Sequence, residues 1–287
     1  MKMRSWLFAP GDSEKKMGKA AASDADIAIF DLEDAVAPEV KTDARKMVAD
    51  SLSGAGDRER LWVRINPLDT DMPLADLAAV MPARPGGIML PKAEGPEQVA
   101  RLDNYLSAFE VANGVEAGST PVMALVTETA ASMFEAGNYA NAPRLAAMSW
   151  GAEDLSDSIG AQANVDEAGE YDPAYILART LCLLGAARAG VPAIETIATD
   201  FRDLDGLAKR ATTVRRQGFG GMLAIHPAQI GPINEAFTPA ETEIEEARKV
   251  VALFEDNPGV GTIGRGGKMY DRPHLSRARQ LLAALDD

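Results

Sequence analysis

The residues in this chain best suited to chemistry are acids that close apolar runs. Ala28-Ile29-Phe30 leads into Asp31-Leu32-Glu33-Asp34, Met123-Ala124-Leu125-Val126-Thr127 into Glu128, and Ala147-Met148-Ser149-Trp150-Gly151-Ala152 into Glu153-Asp154. Short apolar runs of this kind read as buried strands. A carboxylate at the end of one needs a metal, an arginine or water, because an isolated charge is costly to desolvate. Glu128 and Asp154 stand about one strand–helix unit apart. Two carboxylates, completed by water and substrate oxygens, suit Mg²⁺, a hard cation that often takes only one or two protein ligands. Each acid alone could instead cap the helix after its strand. With the Asp31, Glu33 and Asp34 cluster beside them the metal reading is preferred, and that cluster becomes an outer set orienting metal-bound water.

The bases fit the same picture. Arg64 interrupts the apolar strand Leu61-Trp62-Val63-Arg64-Ile65. Arginine is almost never fully buried unless paired. It is therefore either a structural ion pair or a fixed cation for an oxyanion that develops during reaction. Lys92, after Leu90-Pro91, is either a Schiff-base lysine or a counter-charge to the acids. The second is preferred, since a metal and a Schiff base are alternative ways to stabilise one carbanion. The only histidines are His226 and His274, too few for a histidine-built metal site.

These residues need strands to place them. Strand-like segments recur near Trp6–Ala9, Ile27–Leu32, Leu61–Asn66, Gly87–Leu90, Val122–Thr127, Leu145–Trp150, Pro192–Ala198 and Met222–Ile225, alternating with helical patterns. One helix, Gln98 to Asn113, carries a stripe of Val99, Leu102, Leu106 and Phe109. Alternation of this kind predicts a parallel α/β fold, and eight units predict a (β/α)8 TIM barrel, whose chemistry sits at the carboxyl ends of the strands. The barrel is expected over residues 1–238. Residues 239–287 are expected to form a C-terminal helical arm or lid: a helix behind a capping box at Thr238-Pro239-Ala240-Glu241, a flexible glycine-rich loop from Gly259 to Gly267, and a last helix from Pro273. Arg272 is expected to cap that helix, leaving Asp271 one residue outside, because the residue before proline avoids helical geometry.

The 287 residues carry a formal net charge of −14, which argues against a nucleic-acid partner, since phosphate backbones call for clustered lysine and arginine. No apolar run is long enough to span a membrane, and the N-terminus has no signal-peptide pattern, so a cytoplasmic location is expected. Cys182 reads as a buried small apolar residue.

In order along the chain, Leu7-Phe8-Ala9-Pro10-Gly11, Asp31-Leu32-Glu33-Asp34-Ala35-Val36, Val63-Arg64-Ile65-Asn66, Leu90-Pro91-Lys92, Glu128-Thr129-Ala130, Gly151-Ala152-Glu153-Asp154 and Ala224-Ile225-His226-Pro227 form a specific set. From Arg4 to about Leu282 the chain resembles the citrate lyase β-subunit-like group of the HpcH/HpaI aldolase superfamily, which includes malyl-CoA and citramalyl-CoA lyases. The resemblance implies a (β/α)8 barrel with a C-terminal extension, in a homo-oligomer. It implies Mg²⁺ on Glu128 and Asp154, a catalytic Arg64, and Glu33 and Asp34 as the acidic pair near the metal. It also places Arg4 and Lys19 at basic positions near the CoA end. Asp271 matches an aspartate presented in trans by a neighbouring subunit's arm. The implied reaction is reversible, Mg²⁺-dependent carbon–carbon cleavage of a 3-hydroxyacyl-CoA, such as malyl-CoA or citramalyl-CoA, into an acyl-CoA and a 2-oxoacid. The alternatives are a citrate lyase β subunit acting on a citryl thioester of acyl-carrier protein, a Schiff-base aldolase, and a non-catalytic scaffold subunit. Ala198-Thr199-Asp200 departs from relatives that carry an aromatic residue after the seventh strand, which leaves acyl specificity open.

Overall fold

A computed structural model describes residues 2–283 and Leu285. Met3–Phe237 is one compact unit. Its eight strands are β1 (Ser5–Pro10), β2 (Ile27–Asp31), β3 (Leu61–Arg64), β4 (Gly87–Leu90), β5 (Val122–Leu125), β6 (Leu145–Ser149), β7 (Ala193–Glu195) and β8 (Gly221–Ala224). They pair in parallel and in sequence order, and β8 returns to β1 to close the barrel. The helices are α1 (Glu14–Ala21), α2 (Lys41–Ser53), α3 (Pro73–Val80), α4 (Pro96–Ala112), α5 (Ala152–Ile159), α6 (Pro173–Ala189), α7 (Leu204–Gln217) and α8 (Ile230–Phe237). This is a (β/α)8 TIM barrel.

The two-residue period of a strand sorts the side chains. Ile27, Ile29, Trp62, Met89 and Met123 point into the barrel, where Trp6 meets Trp62 edge to face with centroids 5.0 Å apart. Ala28, Phe30, Leu61 and Val63 point outward into the layer beneath the helices. The same alternation carries Asp31 and Arg64 inward at the carboxyl ends of β2 and β3. The strand register sets these two residues directly opposite each other.

The amino-terminal end of the barrel is tied by a different ion pair. Arg144, just before β6, reaches Glu110 of α4 at 2.6 Å and also binds Asp103. Glu110 is fully buried and accepts further hydrogen bonds from the N–H groups of Gly118 and Thr120. Burial alone would raise its pKa, but Arg144 and the two N–H donors outweigh that and hold it at about 2. A carboxyl depressed in the folded state stabilises above its unfolded pKa, and that stability is lost as pH falls through the folded value. Wild-type protein should therefore lose stability more steeply than Glu110→Gln between about pH 4.5 and pH 2. Urea midpoints across that range test this; parallel slopes would contradict it.

Lys2 and the described residues from Thr238 on form a second unit. It contains α9 (Glu241–Glu255), β9 (Thr262–Arg265), β10 (Lys268–Asp271) and α10 (Arg272–Ala283), around a core of Ala247, Val250, Phe254, Leu275 and Ala278. Three sequence expectations are corrected here. First, α9 starts two residues late for a Thr238 box. Ala240 is the N-cap, with no side-chain acceptor, and only the reciprocal bond from Glu243 back to the Ala240 N–H is made. Second, the glycine-rich stretch is an antiparallel hairpin, not a flexible loop. Gly266 and Gly267 both have positive φ, 59° and 76°, as a tight two-residue turn requires. Third, α10 starts at Arg272, so Asp271 itself occupies the cap position. Among the described residues no helix is long and apolar enough to cross a membrane.

Candidate active site

The acidic turn after β2 is wound around Asp31. Its carboxylate accepts the N–H of Glu33 at 2.9 Å and of Ala35 at 3.1 Å, a local turn typical of aspartate. From the other side it takes Arg64 in a two-point pair, Nε to Oδ1 at 2.7 Å and Nη2 to Oδ2 at 2.6 Å. Glu33 Oε2 lies 2.8 Å from Arg64 Nη1 but is out of line for a hydrogen bond, so this buried oxygen has no hydrogen-bond donor. Burial would raise the Asp31 carboxyl, but Arg64 holds it below the usual range. Burial likewise opposes the charge on Arg64, and Asp31 and Glu33 more than offset it. Glu33 goes the other way: burial prevails over Arg64 and Lys92 and raises it. The Arg64 guanidinium also rests over the Phe8 ring, 4.8 Å from its centroid.

A buried lysine fixes the turn from beneath. Lys41 Nζ donates to the carbonyls of Leu32 at 2.8 Å and Glu33 at 2.9 Å, and to Asn66 Oδ1 at 2.7 Å. Asn66 in turn binds Asp76, which pairs with Arg45. Lys41 thus spends two ammonium protons on the backbone that carries Glu33 and Asp34 and the third on the Asn66 side chain.

Lys92 sits at the end of β4 with φ of 50°, a left-handed conformation uncommon for a non-glycine residue. Its ammonium lies among Glu33, Asp34 (3.3 Å) and Asp154 (2.9 Å). Burial would lower its pKa, but Glu33 and Asp154 raise it. Its backbone N–H donates to Glu128 Oε2 at 2.7 Å. The counter-charge reading therefore holds, and a Schiff-base nucleophile, which needs a depressed pKa, does not fit this environment. Borohydride should trap no substrate adduct on Lys92; a trapped adduct would overturn this.

Glu128 and Asp154 come together across β5 and β6. The first is buried, and the second stands in the first turn of α5, one quarter exposed. Gly151 makes their approach possible: a Cβ there would lie 2.6 Å from Glu128 Oε1, so only glycine leaves that oxygen its place. Burial, then Asp154 and Glu33, push the Glu128 carboxyl well above its ordinary value. Crowded carboxylates on the wall of a cavity of about 190 Å³ are a donor set that a divalent cation relieves. Among the described residues no three acids, histidines or cysteines converge as a ready metal cluster. Two carboxylates are nevertheless enough for Mg²⁺, and the donors fit that ion.

The structure thus brings Glu33, Asp34, Arg64, Lys92, Glu128 and Asp154 to one end of the barrel. It does not bring Arg4 or Lys19 there. Arg4 precedes β1, at the amino end of the strands, where both its Nε and Nη2 bind Asp26 at 2.8 Å. Lys19 is exposed in the last turn of α1, the end of that helix returning toward the same face. Neither base is among the residues lining this cavity, so their expected place near the CoA end stands apart from the acid cluster. Asp271, in the second unit, is held by His274, whose ring Nδ1 lies 2.5 Å from Oδ1 and whose N–H donates to the same oxygen at 3.4 Å. His274 is the main cause of its lowered pKa. His226 is spent on a local cap, accepting the Ala228 N–H, and stacks on Phe201. Cys182 is buried, and burial pushes its thiol pKa up, so it is no nucleophile.

One group was missed in the sequence. Glu195, fully buried at the end of β7, ties Arg179 of α6 (2.6 Å), Arg210 of α7 (2.9 Å) and the Trp150 indole N–H (3.0 Å). Arg210 also reaches the Tyr171 hydroxyl at 3.2 Å, and Tyr171 lines the cavity. The available signal was an acid inside the short apolar run Ala193-Ile194-Glu195-Thr196-Ile197.

Comparison with known proteins identifies the family. The model of the HpcH/HpaI aldolase/citrate lyase family matches residues 4–227. The citrate lyase subunit beta of Haemophilus influenzae is 32% identical, over 97% of this chain and 95% of its own length. A (3S)-malyl-CoA thioesterase of Cereibacter sphaeroides is 36% identical, over 98% and 93%. The crystal structure of CitE from Mycobacterium tuberculosis, in complex with magnesium, acetoacetate and coenzyme A, superposes with a TM-score of 0.81 at 33% identity. That match covers 100% of this chain and 99% of that one.

Proposed function

The chain belongs to the HpcH/HpaI aldolase/citrate lyase family and is a carbon–carbon lyase, and from that premise we propose that it cleaves, reversibly, a 3-hydroxyacyl-CoA that carries a carboxylate into an acyl-CoA and a 2-oxoacid. The observation that supports this reading most is the convergence of Arg64 with Glu128 and Asp154 on one cavity at the carboxyl ends of the strands. Glu128 and Asp154 would hold Mg²⁺, which when bound would supply Lewis-acid chemistry toward the substrate's oxygens. A carboxylate of the site takes the hydroxyl proton, the oxygen becomes the carbonyl of the 2-oxoacid as the carbon–carbon bond breaks, and the bond's electron pair passes to the acyl-CoA fragment as an enolate. Arg64 has the donors for that enolate oxygen. Three of its five N–H groups face Asp31 and Glu33, and two remain. Its orientation is set before substrate arrives, so stabilising the new charge needs no reorganisation. Glu33 and Asp34 hold Lys92, which keeps a positive charge beside Asp154.

In the same proposal, Asp271 exchanges the proton at the enolate carbon and is presented to a neighbouring subunit, which makes the active form a homo-oligomer. The His274 contact favours the carboxylate form needed to take a proton. Asp271→Ala should stop deuterium exchange at the acyl-CoA methyl while thioester binding persists. Dissociated and reassembled mixtures of Asp271→Ala with Glu128→Gln subunits should regain activity. Verified hybrids as inactive as their parents, or an active monomer, would refute action in trans. The reaction itself is tested by incubating the protein and Mg²⁺ with malyl-, β-methylmalyl-, citramalyl- and citryl-CoA and following 2-oxoacid release. No release from any of them would leave the scaffold reading standing instead.

A further inference from the structure

We propose that Tyr171 is a substrate-binding residue of this site, donating its phenolic hydrogen to the carboxylate of the 2-oxoacid half, and that Arg210, held by Glu195, is the positioning residue behind it. This rests on the lyase reading above and adds two residues to it. Tyr171 closes the loop between α5 and α6. Asp166 winds that loop, accepting the N–H groups of Ala168 at 2.8 Å and Glu170 at 3.0 Å, and Val165 bridges to Tyr171 itself. The ring packs edge to face on Trp150, with centroids 5.2 Å apart, and the Arg210 guanidinium lies 5.3 Å from its centroid. Aromatic and cation contacts thus hold a loop residue in one place on the cavity wall.

The hydroxyl has a proton to spare. Arg210 Nη2 donates to it at 3.2 Å, and among the described residues nothing accepts its own O–H. A phenol can do both at once. Burial raises its pKa and Arg210 opposes that without prevailing, so the group stays protonated at neutral pH. Arg210 is not fully neutralised. Glu195 is one carboxylate shared by two guanidiniums, Arg179 at 2.6 Å and Arg210 at 2.9 Å, which leaves a surplus of positive charge behind the wall. Glu153 lines the cavity as well, but it is exposed and accepts the Asn164 side-chain amide at 2.8 Å. A hydroxyl polarised by a cation suits an anionic acceptor. Once bound substrate shuts out water, this O–H either finds an acceptor on the substrate or is left unpaired at a cost.

The order of the strands says which acceptor. Arg64 ends β3, Glu128 follows β5, Asp154 follows β6, and Glu195, which anchors Arg210, ends β7. Tyr171 packs on Trp150, just past β6. Around the barrel, the acid pair therefore stands between Arg64 and Tyr171. A substrate held at that pair with its acyl half turned to Arg64 turns its 2-oxoacid half to Tyr171. One carboxylate oxygen of that half faces the acid pair's side, and the other is free to accept the phenol. The carboxylate keeps its charge throughout the reaction, so this hydrogen bond strengthens the ground state and the transition state alike.

Tyr171→Phe keeps the ring and removes only the hydroxyl. With Mg²⁺ present, calorimetry should show it binding pyruvate roughly 10–10²-fold more weakly than wild type, the scale of a hydrogen bond to a charged group. KM for citramalyl-CoA should rise by a similar factor while kcat stays within about threefold, because uniform binding is what is lost. Arg210→Lys keeps a charge beside Glu195 but lacks the planar fork that reaches Glu195, Tyr171 and the Ile197 carbonyl together. It should weaken pyruvate binding at least about threefold alone and add nothing in Tyr171→Phe. A wild-type affinity for pyruvate less than about twofold above that of Tyr171→Phe, or a fall in kcat with KM unchanged, overturns the role of Tyr171. Additive losses in the double variant overturn Arg210 as its positioning residue. Either result leaves the lyase reading intact. A wild type that cleaves none of the thioesters defeats that reading instead, and the pyruvate comparison still decides whether Tyr171 holds a carboxylate.

Discussion

Glu128→Gln and Asp154→Asn should each abolish Mg²⁺-dependent turnover while the barrel stays folded. At Glu128 the amide is nearly isosteric with the carboxylate. Its oxygen can still accept the Lys92 N–H, and the space left by Gly151 still holds the side chain. What is lost is one of the two anionic donors offered to the metal. Removing a charge also relieves the repulsion that Asp154 and Glu33 exert on Glu128. Metal-free Glu128→Gln should therefore melt no lower than metal-free wild type, whereas the rise in melting temperature that Mg²⁺ gives the wild type should vanish. Differential scanning calorimetry with and without Mg²⁺ separates these effects. A variant that still gains stability from Mg²⁺, or still turns over, would remove Glu128 from the metal site.

Arg64→Lys should lower kcat by roughly 10²–10³-fold, the scale for losing one preorganised oxyanion donor. Lysine keeps the charge but not the planar fork, so it cannot hold both Asp31 oxygens and still present spare N–H groups inward. Arg64 is an ion-pair partner of Asp31 and also lines the cavity. The variant should therefore also lose stability, since Asp31 is buried and its fork is broken. Rate and stability can be separated by steady-state kinetics at a temperature where both proteins are folded. Near wild-type kcat in a destabilised Arg64→Lys would leave it a structural ion pair only.

Much of the barrel was legible because periodicity reports burial. Runs such as residues 27–30 and Val122–Leu125 are apolar throughout, as strands covered on both faces must be. The acids that end them were legible for the same reason: they break a pattern that packing alone would continue. The Asp31–Arg64 pairing needed strand register, which no single strand contains. Lys41 was illegible because a lysine opening an amphipathic helix normally faces water, and only the fold turns its ammonium onto the Leu32 and Glu33 carbonyls. Arg4 was named by motif match alone; standing before β1, it lies at the amino end of the strands and pairs with Asp26. The hairpin in the second unit was legible and misread. Adjacent glycines between Thr262–Arg265 and Lys268–Asp271 are a turn signal, not a mark of flexibility.

The central claim is that two carboxylates, Glu128 and Asp154, make this lyase dependent on Mg²⁺. The most direct measurement is pyruvate release from citramalyl-CoA by protein exhaustively treated with EDTA, before and after Mg²⁺ is restored. The account predicts release at background without the ion and full recovery with it. Undiminished pyruvate release from the metal-free protein would contradict it.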